Sequence, residues 1–258
     1  MSQPQTLVTL SIEMVGAVSA FISEMRPPTR PPGRPQCALF LTLAEQYEAA
    51  TRLVQVGLAT HAAGHVRSML EGLTDLLLLA TQADHLGRMK YAQAAGEKRF
   101  LDRMLESPEL SASQRVMLEG RLAECMARYQ PLHNEFRGDK RPQVDDFALA
   151  GLKSLVGPYS MLCSFAHNDL TALAYRHQGE RGMTYREPVP EDTTFLLLSH
   201  ASFVVMRAMG ALKSVVYLPD GRFDHHQAEI GRLYDAITGL APAPSIESES
   251  PDNRERKA

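Results

Sequence analysis

A narrow polar stripe runs along an otherwise apolar segment near the middle of the chain. It consists of Ser160, Ser164, His167 and Thr171, spaced by four, three and four residues. This spacing places side chains on one face of an α-helix. An imidazole in such a stripe can be a hydrogen-bonded core residue, a general base near neutral pH, or a ligand for a small molecule or metal. We favour the core histidine, because an apolar circumference is typical of a central helix.

A second helical segment, residues 61–80, carries a charged pair. Arg67 and Glu71 lie four residues apart, and apolar residues recur every three or four positions along the opposite face. On an exposed surface such a pair contributes only about 0.3–0.5 kcal/mol. If another helix covers this side, Arg67 offers a fork of donors to an anion or a carboxylate. Leu78 falls between the pair on a helical wheel, which favours partial burial.

The same segment begins with two histidines that could reach one metal ion. His61 and His65 are four residues apart, as in helical metal-binding pairs. The metalloprotease pattern requires a glutamate directly after the first histidine, and this chain has Ala62 there. We therefore favour a structural or solvated pair and predict no metal site, with metal binding left open.

Composition limits the class of protein. The chain has 258 residues, of which 44% are hydrophobic and 22% charged, so it can bury a sizeable core. A net charge of −3 gives no global attraction for nucleic acid, although a local basic patch remains possible. Three widely spaced cysteines without a CxxC pair favour a reducing compartment over a zinc or disulfide framework.

Several absences complete this picture. No segment has the features of a signal peptide, and none reaches the roughly 18 uncharged apolar residues of a membrane span. The sequence has no phosphate-binding glycine loop and no ferritin-type Glu-x-x-His repeat. We therefore expect a soluble cytoplasmic protein that contacts no membrane and needs no cofactor.

Helical periodicity extends along nearly the whole chain and predicts an all-α fold, a single bundle of about seven to nine helices. The predicted helices cover residues 7–25, 37–57, 58–82, 85–106, 110–130, 144–156, 158–176, 192–217 and 224–238. Repeated prolines after the first helix exclude a helix there and favour a stiff spacer, or alternatively an SH3-type ligand. The predicted organisation is an N-terminal helix (1–25), a proline-rich linker (26–36), a bundle domain (37–240) and a disordered tail (241–258).

The two segments together resemble a known family. The stretch "HVRSMLEGLTDLLLLA", followed by "YSMLCSFAHNDL", is similar to a widespread family of bacterial helical proteins catalogued only as a domain of unknown function. The resemblance covers about residues 37–176 and implies no particular activity. The family pattern falls on Arg67, Glu71, Tyr159, Ser164 and His167.

A more distant resemblance is to the HEPN superfamily, helical bundles that include metal-independent ribonucleases of toxin and phage-defence systems. Their motif is an arginine followed by four to six residues and a histidine on one helix. His167 has no arginine at that distance. The spacing occurs at Arg128 and His133, where Pro131 is expected to interrupt the helix. Arg67 could still supply the cation from another helix, because geometry defines a site.

Three functional hypotheses follow. The leading one is a polar site between central helices that binds a small ligand, a nucleotide or a protein partner, lined by Arg67, Glu71, Tyr159, Ser164 and His167. The second is a ribonuclease with His167 as base and Arg67 as phosphate-stabilising cation, the only case in which we expect nucleic acid as a partner. The third is a structural or adaptor protein, in which residues 1–36 dock a partner or a second copy in a homo-oligomer.

Overall fold

The computed structural model of the chain describes residues 3–138, 143–167, 169–179 and 182–242. The elements among these residues are ten α-helices, a short 3-10 helix (Lys153–Leu155) and one short antiparallel hairpin, so the all-α prediction is confirmed with a slightly larger number of helices. The elements are α1 (Gln3–Glu24), α2 (Gly33–Gln55), α3 (Ala59–Thr81), α4 (His85–Leu105), α5 (Ala112–Phe136), α6 (Gln143–Leu149), α7 (Val156–His167), α8 (Leu170–His177), β1 (Gln178–Gly179), β2 (Gly182–Met183), α9 (Glu191–Ala211) and α10 (Arg222–Thr238). Beyond residue 242, the predicted tail lies outside the described residues.

The main core lies between α1, α2, α3, α9 and α10. Helix α3 is at its centre, where it packs against α2, α9 and α7. Buried apolar residues recur every three or four positions along α3, from Ala62 through Val66 to Leu73, as expected for a helix covered on one broad face. The opposite, half-buried side of α3 carries the polar residues discussed below.

The N-terminal helix belongs to this core. Leu7 and Phe21 of α1 are buried in the same cluster as the residues of α3 and α9. Directly after α1, Arg26 and Tyr217 exchange two backbone hydrogen bonds of 3.0 Å. Since α2 already begins at Gly33, the proline-rich connection is shorter than the predicted linker. Helix α1 therefore packs into the main core.

Helices α4 and α5 form a long hairpin with a small core of its own. Leu101, Leu118 and Cys125 are buried between the two helices. Helix α5 continues through Pro131, so the predicted interruption there is wrong. A proline removes one backbone hydrogen bond and crowds the preceding turn. On either side of Pro131, α5 is anchored by the buried side chains of Cys125 and Phe136.

The predicted helix 158–176 is two helices. Helix α7 ends at His167 and α8 begins at Leu170. Asp169 caps the second helix, because its side chain accepts a hydrogen bond of 2.8 Å from the backbone N–H of Ala172. Aspartate competes with the helical backbone for hydrogen bonds and therefore favours such a boundary.

This pair of helices is also more peripheral than the apolar composition predicted. In α7 the buried residue is Leu162, and in α8 the buried residues are Ala172 and Arg176. Met161 and Leu170 are exposed. The interpretation as a central helix of the bundle is therefore wrong: an apolar circumference does not by itself mean that every side is covered.

Two helices, α1 and α9, are long and apolar enough to cross a membrane when judged by length and composition alone. In their most apolar windows, 28% and 50% of the residues are buried inside the fold. Both helices contribute side chains to the main core. Core helices pass the same test, so the result is only a weak indication of a membrane span.

Candidate functional site

Three of the predicted site residues form a hydrogen-bonded clamp between α3 and α7. The Tyr159 hydroxyl donates to Glu71 Oε1 at 2.6 Å. Arg67 Nη2 lies 2.8 Å from the same carboxylate oxygen and donates to the Tyr159 hydroxyl at 3.2 Å. Arg67 Nε donates to Cys163 Sγ at 3.3 Å. These contacts join the two helices that carry the family-like motifs.

The protonation states of the clamp are fixed by its environment. Burial and the hydrogen bond to Glu71 raise the pKa of Tyr159 to about 12, although Arg67 opposes this shift. Burial alone would lower the pKa of Arg67, but its hydrogen bonds to Cys163 and Tyr159 and the charge of Glu71 raise it above its ordinary value. At neutral pH the tyrosine is therefore a donor and the arginine a permanent cation.

The clamp also holds a neighbouring helix in place. The ring of Tyr159 lies 5.0 Å from the ring of Phe147, which belongs to α6 and is fully buried. The Arg67 guanidinium lies 5.4 Å from the centroid of the same ring. Asp146, next to Phe147 in α6, lines a cleft. The clamp thus positions one wall of that cleft.

The remaining two predicted site residues face Asp169. Ser164 is half-buried and hydrogen bonds to Asp169, while His167 is exposed and interacts with it electrostatically. The backbone N–H of Ala172, the Ser164 hydroxyl and the charge of His167 lower the pKa of Asp169. Among the described residues, no hydrogen bond joins His167 to Arg67 or Glu71. Because the side chain of His167 is exposed, the favoured interpretation of His167 as a buried core histidine is wrong.

Other polar residues lie near this region, at the start of α3 and in α8. His61 is exposed and His65 is half-buried, and no group of three or more potential metal ligands occurs in the described part of the chain. Arg176, which the sequence analysis did not identify, is buried. Its guanidinium donates to the Thr60 hydroxyl at 3.2 Å and to the Phe165 carbonyl at 2.8 Å, and so fastens α8 to the start of α3.

A cleft of about 780 Å³ lies between α3, the α4–α5 hairpin and α6. Its volume falls within the range of about 300–1,000 Å³ typical of ligand sites. One residue, Asp75, comes from α3, one turn beyond Glu71 of the clamp. The lining residues are Asp75, His85, Arg88, Met89, Tyr91, Ala92, Ala95, Lys98, Arg99, Tyr129, His133, Phe136, Arg137, Gln143 and Asp146.

Helix α4 supplies one full face of the cleft. The face consists of His85, Arg88, Ala92, Ala95 and Arg99, spaced by three, four, three and four residues. This spacing aligns the five side chains along the helix. Two alanines between two arginines leave room beside the backbone in the middle of the face.

Aromatic rings from α4 and α5 form the wall beside this face. The rings of Tyr91 and Tyr129 stack with centroids 5.9 Å apart, and those of Tyr129 and His133 with centroids 4.9 Å apart. His133 Nδ1 lies 3.1 Å from the Tyr91 hydroxyl and 2.9 Å from the Tyr129 hydroxyl. One ring nitrogen has either one lone pair or one proton, so the two hydroxyls retain hydrogen-bonding capacity for a ligand.

A buried histidine lies at the start of α4. His85 is 4% exposed, and its Nε2 lies 2.9 Å from Asp75 Oδ1. Its other nitrogen, Nδ1, is buried and has no hydrogen-bond partner among the described residues. Buried polar atoms in folded proteins are usually hydrogen-bonded, so this nitrogen is a candidate partner for a polar group in the cleft.

The lining has more cationic than anionic side chains. Four cations, Arg88, Lys98, Arg99 and Arg137, line the cleft against two carboxylates. Arg88 donates to the aspartate that precedes α4 at 2.8 Å, and Lys98 to an aspartate one turn further along α4 at 2.7 Å. Arg99 and Arg137 are exposed, and the described residues provide no ion-pair partner for either. These two guanidinium groups are available to an anion.

The three clamp residues could be singled out from the sequence, but the cleft could not. The cleft residues lie on polar faces of α4 and α5, where no apolar periodicity marks them. The pair Arg128 and His133 was noted by its spacing alone: Arg128 pairs with Glu97 at 2.8 Å, and only His133 lines the cleft. The available signal was the regular spacing from His85 to Arg99.

Comparison with known proteins identifies the family of the chain without an activity. The family model described as "Family of unknown function (DUF5677)" matches residues 35–184. This match confirms the resemblance inferred from the arginine–glutamate and tyrosine–histidine segments. The matched residues run from α2 to the β1–β2 hairpin and include α4 and α5. Neither a curated protein nor a solved structure matches the chain significantly.

Proposed function

We propose that this chain, which belongs to the DUF5677 family of unknown function, binds a small anionic ligand with an aromatic ring. The ligand would occupy the cleft between α3, the α4–α5 hairpin and α6. One observation carries the proposal: Arg99 and Arg137, without ion-pair partners among the described residues, line the same cleft as the stacked rings of Tyr91 and Tyr129. Arginine pairs well with phosphate or carboxylate, and tyrosine rings stack with planar groups.

Two further features support a ligand in this place. The cleft has the volume of a small-molecule site, about 780 Å³. At one end of the α4 face, the unpartnered Nδ1 of His85 would gain a hydrogen bond from a bound polar group. Because an unsatisfied buried nitrogen is unfavourable, such a bond would contribute to affinity.

In this proposal the clamp residues support the site and do not contact the ligand. Three contacts already engage the Arg67 guanidinium, to Cys163, Tyr159 and Glu71. Arg67 therefore has less capacity for an anion than Arg99. The ribonuclease hypothesis, with His167 as base, and the adaptor hypothesis for residues 1–36 stay predictions, and no contact in the cleft favours either.

Calorimetric titration with mononucleotides tests the proposal. AMP, GMP, CMP and UMP each carry one phosphate and one planar base. We expect at least one to bind, and we expect Arg137→Gln to weaken that binding by roughly tenfold, the effect of losing one charge-assisted hydrogen bond. Arg121→Gln is the matched control, because Arg121 is exposed on α5 and does not line the cleft. The proposal is refuted if no mononucleotide binds or if both variants weaken binding equally.

A further inference from the structure

The cationic residues of the cleft lie at two separate levels along α4. Arg88 and Arg99 are 11 residues apart, which corresponds to about 16 Å along a helix axis. Arg137 belongs with Arg88, because it directly follows Phe136, whose ring centroid is 5.6 Å from the Arg88 guanidinium. Lys98 belongs with Arg99. The cleft therefore has one cationic end at Arg88 and Arg137, near the start of α4, and another at Lys98 and Arg99, nearer the end of α4.

The space between these ends is suited to planar groups. Ala92 and Ala95 are the residues of the α4 face at this level, and their small side chains leave the face open. Tyr91 and Tyr129 lie in the adjoining wall, with ring planes only 25° apart. These two rings also stack with Phe136 and His133, respectively, and the aromatic cluster forms a surface beside the open strip against which flat groups can pack.

A single anion at one end of a ligand cannot use both cationic ends. A ligand that does so must carry anionic groups about 16 Å apart with planar groups between them. A single-stranded oligonucleotide has this alternation, since phosphates recur along its backbone and each base presents a flat face. Positively charged grooves lined with aromatic rings are a general means of binding single strands.

We infer that the cleft accepts a short single-stranded oligonucleotide, with one phosphate at Arg137 and another at Arg99 and the bases stacked between them. The inference rests on the proposed function and adds the ligand class. The chain has a net charge of −3, so the attraction is local to the cleft. It acts over about 10 Å at 0.1 M salt, a distance smaller than the separation of the two cationic ends.

The test compares a trinucleotide with a mononucleotide. The probes are AMP and pApApA, titrated by calorimetry into the full chain. We expect pApApA to bind at least about tenfold more tightly than AMP, because the second cationic end adds a charge-assisted contact. Arg99→Gln should remove this gain, so that pApApA binds this variant no more tightly than AMP does, whereas Arg137→Gln should weaken both probes. Lys90→Gln is the control, because Lys90 is exposed on α4 and does not line the cleft.

The outcomes separate this inference from the proposed function. If AMP binds and pApApA binds no more tightly, or if Arg99→Gln leaves the gain intact, the inference is overturned while the proposed function stands. If neither probe nor any other mononucleotide binds, both fail. Such a ligand could be a free short oligonucleotide or part of a longer single strand, and titration with a dodecamer of adenylate distinguishes the two. If the dodecamer binds more tightly than its larger number of possible binding registers explains, the ligand is part of a longer strand. If its affinity per register equals that of pApApA, the ligand is a free short oligonucleotide.

Discussion

The hydroxyl of Tyr159 provides a direct test of the clamp between α3 and α7. Replacing it in Tyr159→Phe removes the 2.6 Å hydrogen bond to Glu71 and the 3.2 Å hydrogen bond from Arg67. The aromatic ring keeps its contact with Phe147 and its position beside the guanidinium. The variant therefore isolates the polar contribution from the packing of the ring.

The expected loss follows from burial. A hydrogen bond to a charged group contributes about 1.5–3 kcal/mol when it is well shielded. The side chains of Arg67 and Glu71 are 27% and 31% exposed, so water competes and the contribution falls to about 1 kcal/mol. For a chain of this size, such a change lowers the melting temperature by roughly 2–4 °C. Because α6 packs on Tyr159, ligand binding in the cleft should weaken as well.

Urea unfolding of Tyr159→Phe, of Glu71→Gln and of the double variant measures the contribution of the hydrogen bond between Tyr159 and Glu71. The coupling energy of the double-mutant cycle should be about 0.5–1 kcal/mol. Tyr217→Phe is the matched control, because Tyr217 is 69% exposed and the change should leave the free energy of unfolding unaltered. A coupling energy within the scatter of about 0.3–0.5 kcal/mol expected for independent sites, with Tyr159→Phe as stable as the parent protein, would refute the clamp.

Two further predictions concern the packing of the cleft and the response of the fold to acid. A Cβ atom at Gly87 would lie 2.6 Å from the buried ring of Phe136, so Gly87→Ala should cost about 1–3 kcal/mol in urea unfolding; Gly96→Ala, with no atom within 4 Å, should instead gain about 0.5–1 kcal/mol. A destabilised Gly96→Ala or a neutral Gly87→Ala would contradict the described packing of the hairpin. The hydrogen bond from Arg222 is the main cause that lowers the pKa of Glu24 from 4.5 to about 2. Because the folded-state pKa is depressed, the ionised pair stabilises the fold above about pH 4.5, and this contribution is lost as the pH falls toward 2. Glu24→Gln should therefore flatten this part of the curve of unfolding free energy against pH. An unchanged curve would show that the pair does not stabilise the fold.

The helical class could be predicted from the sequence because apolar periodicity repeats in almost every segment. The clamp could be predicted in part for a similar reason. Arg67 and Glu71 share one helix with a spacing of four, and Tyr159 came from the family resemblance. What the sequence could not show was that these three residues satisfy one another, since this depends on how α7 packs against α3.

The position of His167 could not be predicted from the sequence pattern. The segment around it is apolar except for one narrow polar stripe, and this pattern favoured a buried helix. Asp169 ends that helix two residues later by capping the next one, and the segment then lies at the edge of the bundle. A capping aspartate within an apolar run was the signal for this boundary.

The cleft could not be predicted for a different reason. Its residues come from three separate parts of the chain, and tertiary packing alone brings them together. Arg99 and Arg137 are ordinary surface residues when each helix is considered by itself. Only the stacking of Tyr91 on Tyr129 and the exclusion of water from His85 make the region a candidate site.

Hydrogen exchange of the full chain with and without saturating AMP tests the central claim most directly, because it locates the ligand. The account predicts slower amide exchange in residues 85–95 of α4 and residues 129–136 of α5, the walls of the cleft, with α7 and α8 unchanged. Protection confined to α7 and α8, around Tyr159 and His167, would contradict it.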